Sequence, residues 1–340
     1  MQKKNTTAVI QPGATPFSSI AVKDFCRFIS GQEIDQKCIA EILKTYGIQG
    51  EIRTLRYGYY KKIVVWVQGK NPNEQVIKLA FHPYSIFLMQ QEAKGYQACR
   101  LFQSSSFCLP KYELIDTPNQ FAIAILEKVR GGPAKIWQFP KDTFTRLGGV
   151  KKFIPLAEYL RQENSSLANA YELAESWKKI SEKILNHFND RLVPISFSHG
   201  DFIYWNMLRY GQGKSHIIDL EYFSSKRSAC FDDWHWFLFP LARKAIKIGQ
   251  EDSLVAICKR LPTVLWFMFL QKRYPRCEFW DDRPLDVCRL LLILYFYEQS
   301  LLFFSEHQLP NILSLIGTEA YQTREAIQRL YLRMIERLIS

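Results

Sequence analysis

The spacing of apolar residues changes twice along the chain, and the changes outline its architecture. Residues 1–20 are polar, carry Pro12 and Pro16, and read as a loose lead-in. Asp35 is placed to cap a helix whose apolar positions Cys38, Ile39, Ile42 and Leu43 lie on one face, with Gly47 ending it. The period then shortens to that of strands. Ile52–Tyr57 and Lys62–Val67 flank a Gly58-Tyr59-Tyr60-Lys61 link, and Gln75–Ala80 makes a third run. Pro83-Tyr84-Ser85 introduces a predicted helix from Ile86 to about Phe102, and two more strands are expected at Leu109–Ile115 and Gln120–Leu126. Gly131-Gly132-Pro133 breaks the pattern. Beyond it the period is helical, over Lys152–Gln162, Leu167–Phe188, Pro240–Lys247, Ser253–Arg273, Leu285–Ser305 and Thr318–Ile339. An irregular, strand-like stretch from Ile195 to Tyr222 interrupts the helices. The expected class is α+β. A small β-rich N-terminal lobe with one internal helix (residues 1–126) leads through a hinge (127–132) to a large helical lobe (133–340).

Composition narrows this picture. The 340 residues are 47% hydrophobic and 23% charged, which excludes a disordered chain. At this length a core can form without disulfides or a structural metal. None of the eight cysteines is spaced C-x-x-C, so zinc-ribbon and thioredoxin readings fail, and reduced, mostly buried thiols are expected. Residues 1–18 lack the apolar stretch of a signal peptide. The most apolar run, Leu290–Tyr297, is too short for a membrane span and reads as a buried helix. No transmembrane segment is expected, and the expected location is cytoplasmic. The net charge of +12 favours anionic partners. Residues 1–150 hold +9 of it, residues 151–240 are neutral, and residues 241–340 add +3. Without an RRM, helix-turn-helix or zinc-finger signature, the basic excess does not point to nucleic acid. It would also suit peripheral contact with an acidic membrane surface at the inner face.

The neutral middle section carries the chemistry. Asp201 and Asn206 stand five apart in Ser198-His199-Gly200-Asp201-Phe202-Ile203-Tyr204-Trp205-Asn206, between apolar segments. Thirteen residues later Ile217-Ile218 set Asp219 at the end of a short strand. A carboxylate that can take a hydroxyl proton, with an amide oxygen and a second carboxylate as hard ligands for Mg²⁺, is the set phosphoryl transfer requires.

These motifs resemble those of the aminoglycoside phosphotransferase and choline kinase superfamily, whose members share a protein-kinase-like bilobal fold. His199-Gly200-Asp201 with Asn206 looks like that family's H-G-D-x-x-x-x-N loop, Ile218-Asp219 like its metal-binding I-D, and Asp219-Leu220-Glu221-Tyr222 like the D-x-E-Y of choline and ethanolamine kinases. The resemblance spans about residues 52–240. It implies ATP and Mg²⁺, with Asp201 catalytic and Asn206 and Asp219 on the metal. It also implies a strand lysine, Lys78, on the phosphates, and a helical Glu92 paired with it. The hinge Glu127 C=O and Val129 N–H would contact adenine. Glu221 is left between substrate, metal and a structural role, and either Asp232 or Asp233 would support the loop. His199 reads as structural.

The chain departs from ordinary protein kinases: the phosphate-covering turn has only Gly58, the loop is not H-R-D, and Asp219 is not followed by Phe-Gly. The family's usual histidine two residues after the aspartate is replaced by Ile203. The expected acceptor is a hydroxyl on a small molecule or glycan. A D-x-E-Y loop and the aromatics Trp234, Trp236, Phe237 and Phe239 suit an amino alcohol such as choline, the latter as core or as an aromatic cage. The basic surface suits a sugar and disfavours a cationic aminoglycoside. The alternatives are an aminoglycoside-modifying kinase and a catalytically inactive kinase-like scaffold. Oligomeric state is not legible.

Overall fold

The structure is a computed structural model, and it describes residues 36–69, 74–104, 107–117, 121–138, 149–164, 171–189, 191–211, 214–260 and 284–340. These fall into two compact units, one within Met1–Met89 and Lys111–Lys128, the other within Gln90–Pro110 and Val129–Ser340. The α+β class expected from the sequence is the class the chain adopts.

The first unit is built on one antiparallel sheet. Helix α1 (Gln36–Thr45) precedes strands β1 (Glu51–Gly58), β2 (Lys62–Gln68) and β3 (Glu74–Ala80). Helix α2 (Pro83–Cys99) begins here and continues into the second unit from Gln90; the short strand β4 (Phe107–Cys108) belongs to that second unit, and β5 (Tyr112–Thr117) and β6 (Phe121–Glu127) return to the first. The sheet order is β1-β2-β3-β6-β5. Strand β2 alternates as a half-buried strand must: Ile63, Val65 and Val67 point inward and join Ile77, Leu79, Phe121 and Ile123. The apolar stripe of α1 (Cys38, Ile39, Ile42 and Leu43) completes this core, as its spacing predicts, and Gly47 takes the left-handed backbone that ends the helix. Asp35 lies outside the described residues. Lys78 is buried at the centre of β3, opposite Val64 on one side and Ala124 on the other.

The second unit holds two further sheets. Strand β7 is Gly132–Pro133, β8 Lys152–Pro155, β9 Leu192–Ser198, β10 Met207–Tyr210, β11 Lys214–Ile217 and β12 Ser224–Ser228. The sheets run β4-β11-β10-β7 and β12-β9-β8. The helices are α3 (Leu156–Asn164), α4 (Tyr171–Phe188), α5 (Phe231–Lys247), α6 (Glu251–Ile257), α7 (Pro284–His307), α8 (Ile312–Ile316) and α9 (Thr318–Ile339).

Three sequence expectations are corrected here. Lys152–Gln162 begins as a strand, because Phe153 and Ile154 pair with Pro194 and Val193 of β9, and the helix starts only at Leu156. The helix expected from Pro240 starts nine residues earlier, at Phe231. Pro240 sits inside α5, where it removes one N–H donor without ending the helix. The run expected to stay helical from Ser253 is α-helical only to Ile257 before a 3₁₀ turn, and residues 261–273 lie outside the described ones.

Helix α7 is the centre of the larger core. Every residue from Leu290 to Tyr297 is buried in it, together with Leu330, Tyr331, Met334 and Ile335 of α9. It is long and apolar enough to cross a membrane, yet 89% of its apolar window is buried inside the protein, as the sequence reading of this run expects. The described cysteines are free: Cys38, Cys99, Cys230, Cys258 and Cys288 are buried and Cys108 is half-buried. Cys26 and Cys277 lie outside the described residues.

One buried acid on α7 makes stability depend on pH. Burial raises the Glu298 carboxyl from 4.5 to about 8, against the opposing pull of Arg227, whose Nη1 is 3.7 Å from Oε2. Ser228 donates to the other oxygen at 2.6 Å. Between pH 4.5 and 8 the unfolded chain loses this proton while the folded chain keeps it, so stability falls as pH rises through that window. Glu298→Gln imitates the protonated acid. Its Tm should match the native chain at about pH 4 and exceed it by several degrees near pH 8.5, at roughly 2–4 °C per kcal/mol. Scanning calorimetry across that range checks it, and equal Tm values at high pH would refute it.

Candidate active site

The loop that leaves β9 is fixed before its functional side chain is reached. Asp232, in the first turn of α5, accepts from Ser198 Oγ at 2.9 Å, His199 N–H at 2.7 Å and Gly200 N–H at 3.0 Å. Of the two candidate supports, Asp232 is therefore the one bonded to the loop through these contacts. A carboxylate there also complements the positive end of the helix dipole. Gly200 lies at φ 86°, and a Cβ on it would come within 2.1 Å of the Tyr222 carbonyl oxygen. Only glycine allows the two chain segments to pass this closely.

His199 ties this loop to the next one. Its Nε2 lies 2.9 Å from the Ile218 carbonyl, and its Nδ1 is 3.4 Å from the Asp201 N–H. A carbonyl can only accept and an N–H only donate, so these partners assign the proton to Nε2. His199 is a fastener between the Asp201 and Asp219 segments, the structural role its place in the sequence implies.

Asp201 follows, and its side chain remains 28% exposed. Asn206 Nδ2 donates to the Asp201 carbonyl at 2.8 Å and to its Oδ2 at 3.1 Å. The amide nitrogen is thus committed to Asp201, which turns the Asn206 oxygen away from it as a candidate ligand. Strands β10 and β11 pair Met207 with Ile217, and the Ile218 N–H donates to the Asn206 carbonyl at 3.1 Å. That hairpin brings Asn206 and Asp219 to the same end. Asp219 itself sits at φ 67°. A non-glycine residue held there stores strain, the kind of local cost that functional sites retain.

Glu92 reaches the same place from α2. Gly95, one turn further on, lies so close to Leu220 and Phe223 that a Cβ would come within 2.9 Å of both. This close approach sets the helix against the Asp219 loop. The carboxylates of Glu92, Asp219 and Glu221 then each offer an oxygen, all within 4.8 Å of one another, with Glu92 and Glu221 buried. Three hard oxygen donors fit a divalent cation such as Mg²⁺. Tyr222, next in the chain, donates to Glu306 Oε1 on α7 at 2.7 Å, and Arg324 of α9 bonds the other Glu306 oxygen.

Two features went unseen in the sequence. His235 Nε2 stands 3.0 Å from Asp201 Oδ1. The aromatic run around it divides by burial: Trp234 and Trp236 are core, and Trp236 Nε1 donates to the Ile136 carbonyl at 2.8 Å. These two indoles are therefore unavailable as walls of a quaternary-amine cage. Trp205, half-buried in the loop between Asp201 and Asn206, has the Arg243 guanidinium 5.7 Å from its ring. Glu127 ends β6, and Val129 follows in the same stretch. The Lys128 N–H between them donates to the Glu74 carbonyl at 2.9 Å.

This fold is similar to that of several solved kinases. An ethanolamine kinase from Plasmodium vivax matches with a TM-score of 0.52 at 12% identity, over 94% of this chain and 95% of that one. An amicoumacin kinase, hAmiN, solved with AMP-PNP, Ca²⁺ and Ami matches with a TM-score of 0.52 at 12% identity, over 92% of this chain and 96% of that one. An aminoglycoside phosphotransferase, APH(4)-Ia, solved with AMP-PNP and hygromycin B, matches with a TM-score of 0.50 at 10% identity, over 87% and 97%. The chain has the kinase-like fold that these proteins share. No protein-family model matches it, and no curated protein sequence does.

Proposed function

We propose that this chain is an ATP- and Mg²⁺-dependent phosphotransferase that phosphorylates a hydroxyl of a small molecule or glycan. The observation that carries the reading is the convergence of a half-exposed Asp201 with Asn206 and Asp219 through one loop and one hairpin. In this reading Asp201 orients the acceptor hydroxyl and takes its proton. The freed oxygen bonds to the γ-phosphorus as the bond to the β,γ-bridging oxygen breaks and ADP leaves. Asn206 and Asp219, with Glu221 beside them, would hold the cation, which when bound neutralises phosphate charge. The burial of Glu221 beside Asp219 favours this over contact with the acceptor.

Lys78 grips the phosphates with Glu92 as its partner, and Glu127 C=O with Val129 N–H receives adenine. Residues 1–126 then serve as the nucleotide lobe, 127–132 as hinge and 133–340 as the catalytic and acceptor lobe. The positive excess of residues 1–150 suits an anionic nucleotide. Two of the similar structures hold AMP-PNP together with a small molecule, hygromycin B in one and Ami in the other, which supports small molecules as the class to test. The net charge of +12 disfavours a strongly cationic acceptor such as an aminoglycoside and suits a neutral or anionic one, such as a sugar.

Thermal shift tests nucleotide and metal together. ATP with Mg²⁺ should raise the Tm by several degrees through mass action, and Asp219→Ala should lose the Mg²⁺-dependent part. A native chain whose Tm ignores ATP and Mg²⁺ would contradict the reading and favour an inactive scaffold.

A further inference from the structure

The imidazole of His235 has no place in the chemistry above, yet it touches the residue at its centre. It comes from α5, 34 residues beyond Asp201. Its side chain is fully buried, while the Asp201 carboxylate it meets is 28% exposed. Phe231, His235 and Phe239 are spaced four apart, so they form one row along the helix. The Phe231 ring stacks on the imidazole at 5.9 Å and 11°, and the Phe239 ring at 4.7 Å and 21°. The imidazole therefore has little freedom to tilt.

Behind it the polar contacts continue. His235 Nδ1 is 3.3 Å from the Tyr295 hydroxyl of α7, which is 3.1 Å from the Tyr331 hydroxyl of α9. Burial pushes both phenols above their ordinary range, so both keep their protons. Only one arrangement gives every donor an acceptor along this line. Tyr331 O–H donates to the Tyr295 oxygen, Tyr295 O–H donates to Nδ1, and Nε2–H donates to Asp201 Oδ1. The groups facing the imidazole are accordingly Asp201 from the loop, Tyr295 from α7 and two phenyl rings from its own helix.

We propose that His235 is the positioning residue for Asp201, a role that rests on the phosphotransferase reading. Two donors then hold the carboxylate, Nε2 of His235 on Oδ1 and Nδ2 of Asn206 on Oδ2. The first is anchored through Tyr295 and Tyr331 to the C-terminal helices. This fixes the rotation of the carboxylate plane, and with it the direction in which a lone pair meets the acceptor hydroxyl. Misplacement of a catalytic group by about 1 Å can cost about 10²-fold in rate.

The test follows hydrolysis of Mg²⁺-ATP, with water as the acceptor, and transfer to any sugar or amino alcohol that accepts phosphate. His235→Phe keeps the stacked row and removes the donor. It should lower kcat about 10- to 100-fold with KM for ATP within twofold of native. His235→Gln offers an amide Nε2 and should restore kcat to within about threefold. Tyr295→Phe, which removes the second donor in the line, should fall between them. Unchanged kcat in His235→Phe overturns the proposal. So does an equal fall in both His235 variants accompanied by a raised KM and a lowered Tm, because that marks a packing role. A native chain that turns over ATP with no acceptor, water included, overturns the phosphotransferase reading itself, and the native control reveals that case before any variant is compared.

Discussion

Asp201→Ala should lower phosphate transfer by about 10²–10⁴-fold while ATP with Mg²⁺ still raises the Tm as in the native chain. The split follows from geometry. Asp201, 28% exposed, stands outside the cluster of Glu92, Asp219 and Glu221 oxygens and meets the proposed cation site only through Asn206. Removing it takes away the proposed proton acceptor. The oxygens of Asp219, Glu92 and Glu221 stay in place, because they are set by the β10–β11 hairpin and by the approach of α2 at Gly95. Turnover assays paired with thermal shift separate the two effects. Loss of the ATP response together with turnover would mean that Asp201 belongs to the nucleotide site instead.

Asp232→Ala should be the more damaging change to the molecule as a whole. One carboxylate satisfies two backbone N–H groups and one hydroxyl, all buried. Its loss leaves those donors without an acceptor, at about 1–3 kcal/mol each and not strictly additive, so a loss of about 3 kcal/mol or more is expected. Activity should fall with stability, because the same bonds set the path from Ser198 to Asp201. Asp232→Asn should be intermediate. Its single oxygen can still serve Ser198 and Gly200, but its NH₂ group would face the His199 N–H, donor against donor. Urea denaturation gives the order, and an alanine variant as stable as the native chain would refute it.

These two aspartates show what the sequence makes legible. Asp201, Asn206 and Asp219 lie within nineteen residues, so loop spacing and one apolar strand were enough to single them out. Elements set by local periodicity came through as well: helix Thr318–Ile339 is observed over the expected residues, and the β2 and β3 strands fall within a residue of expectation. What depends on tertiary approach did not come through. The meeting of Glu92 with Asp219 and Glu221 relies on a mid-helix glycine whose neighbours are 125 and 128 residues away. The choice of Asp232 over Asp233 depends on the rotation of a helix whose start was misplaced, because Pro240 resembles a helix-opening proline. His235 stood inside an aromatic run that reads as core. Its signal was the four-residue row Phe231, His235, Phe239, which is informative only once the segment is known to be helical.

The most direct measurement is transfer of labelled γ-phosphate from ATP to a panel of sugars, amino alcohols, aminoglycosides and lipid-linked glycans, with Mg²⁺ present, for the native chain and Asp201→Ala side by side. The account predicts a labelled phosphate ester from the native chain with at least one hydroxyl acceptor, favouring neutral or anionic ones, and its loss in the variant. Labelled product formed equally by both, or no ATP turnover by the native chain with any acceptor including water, would contradict it.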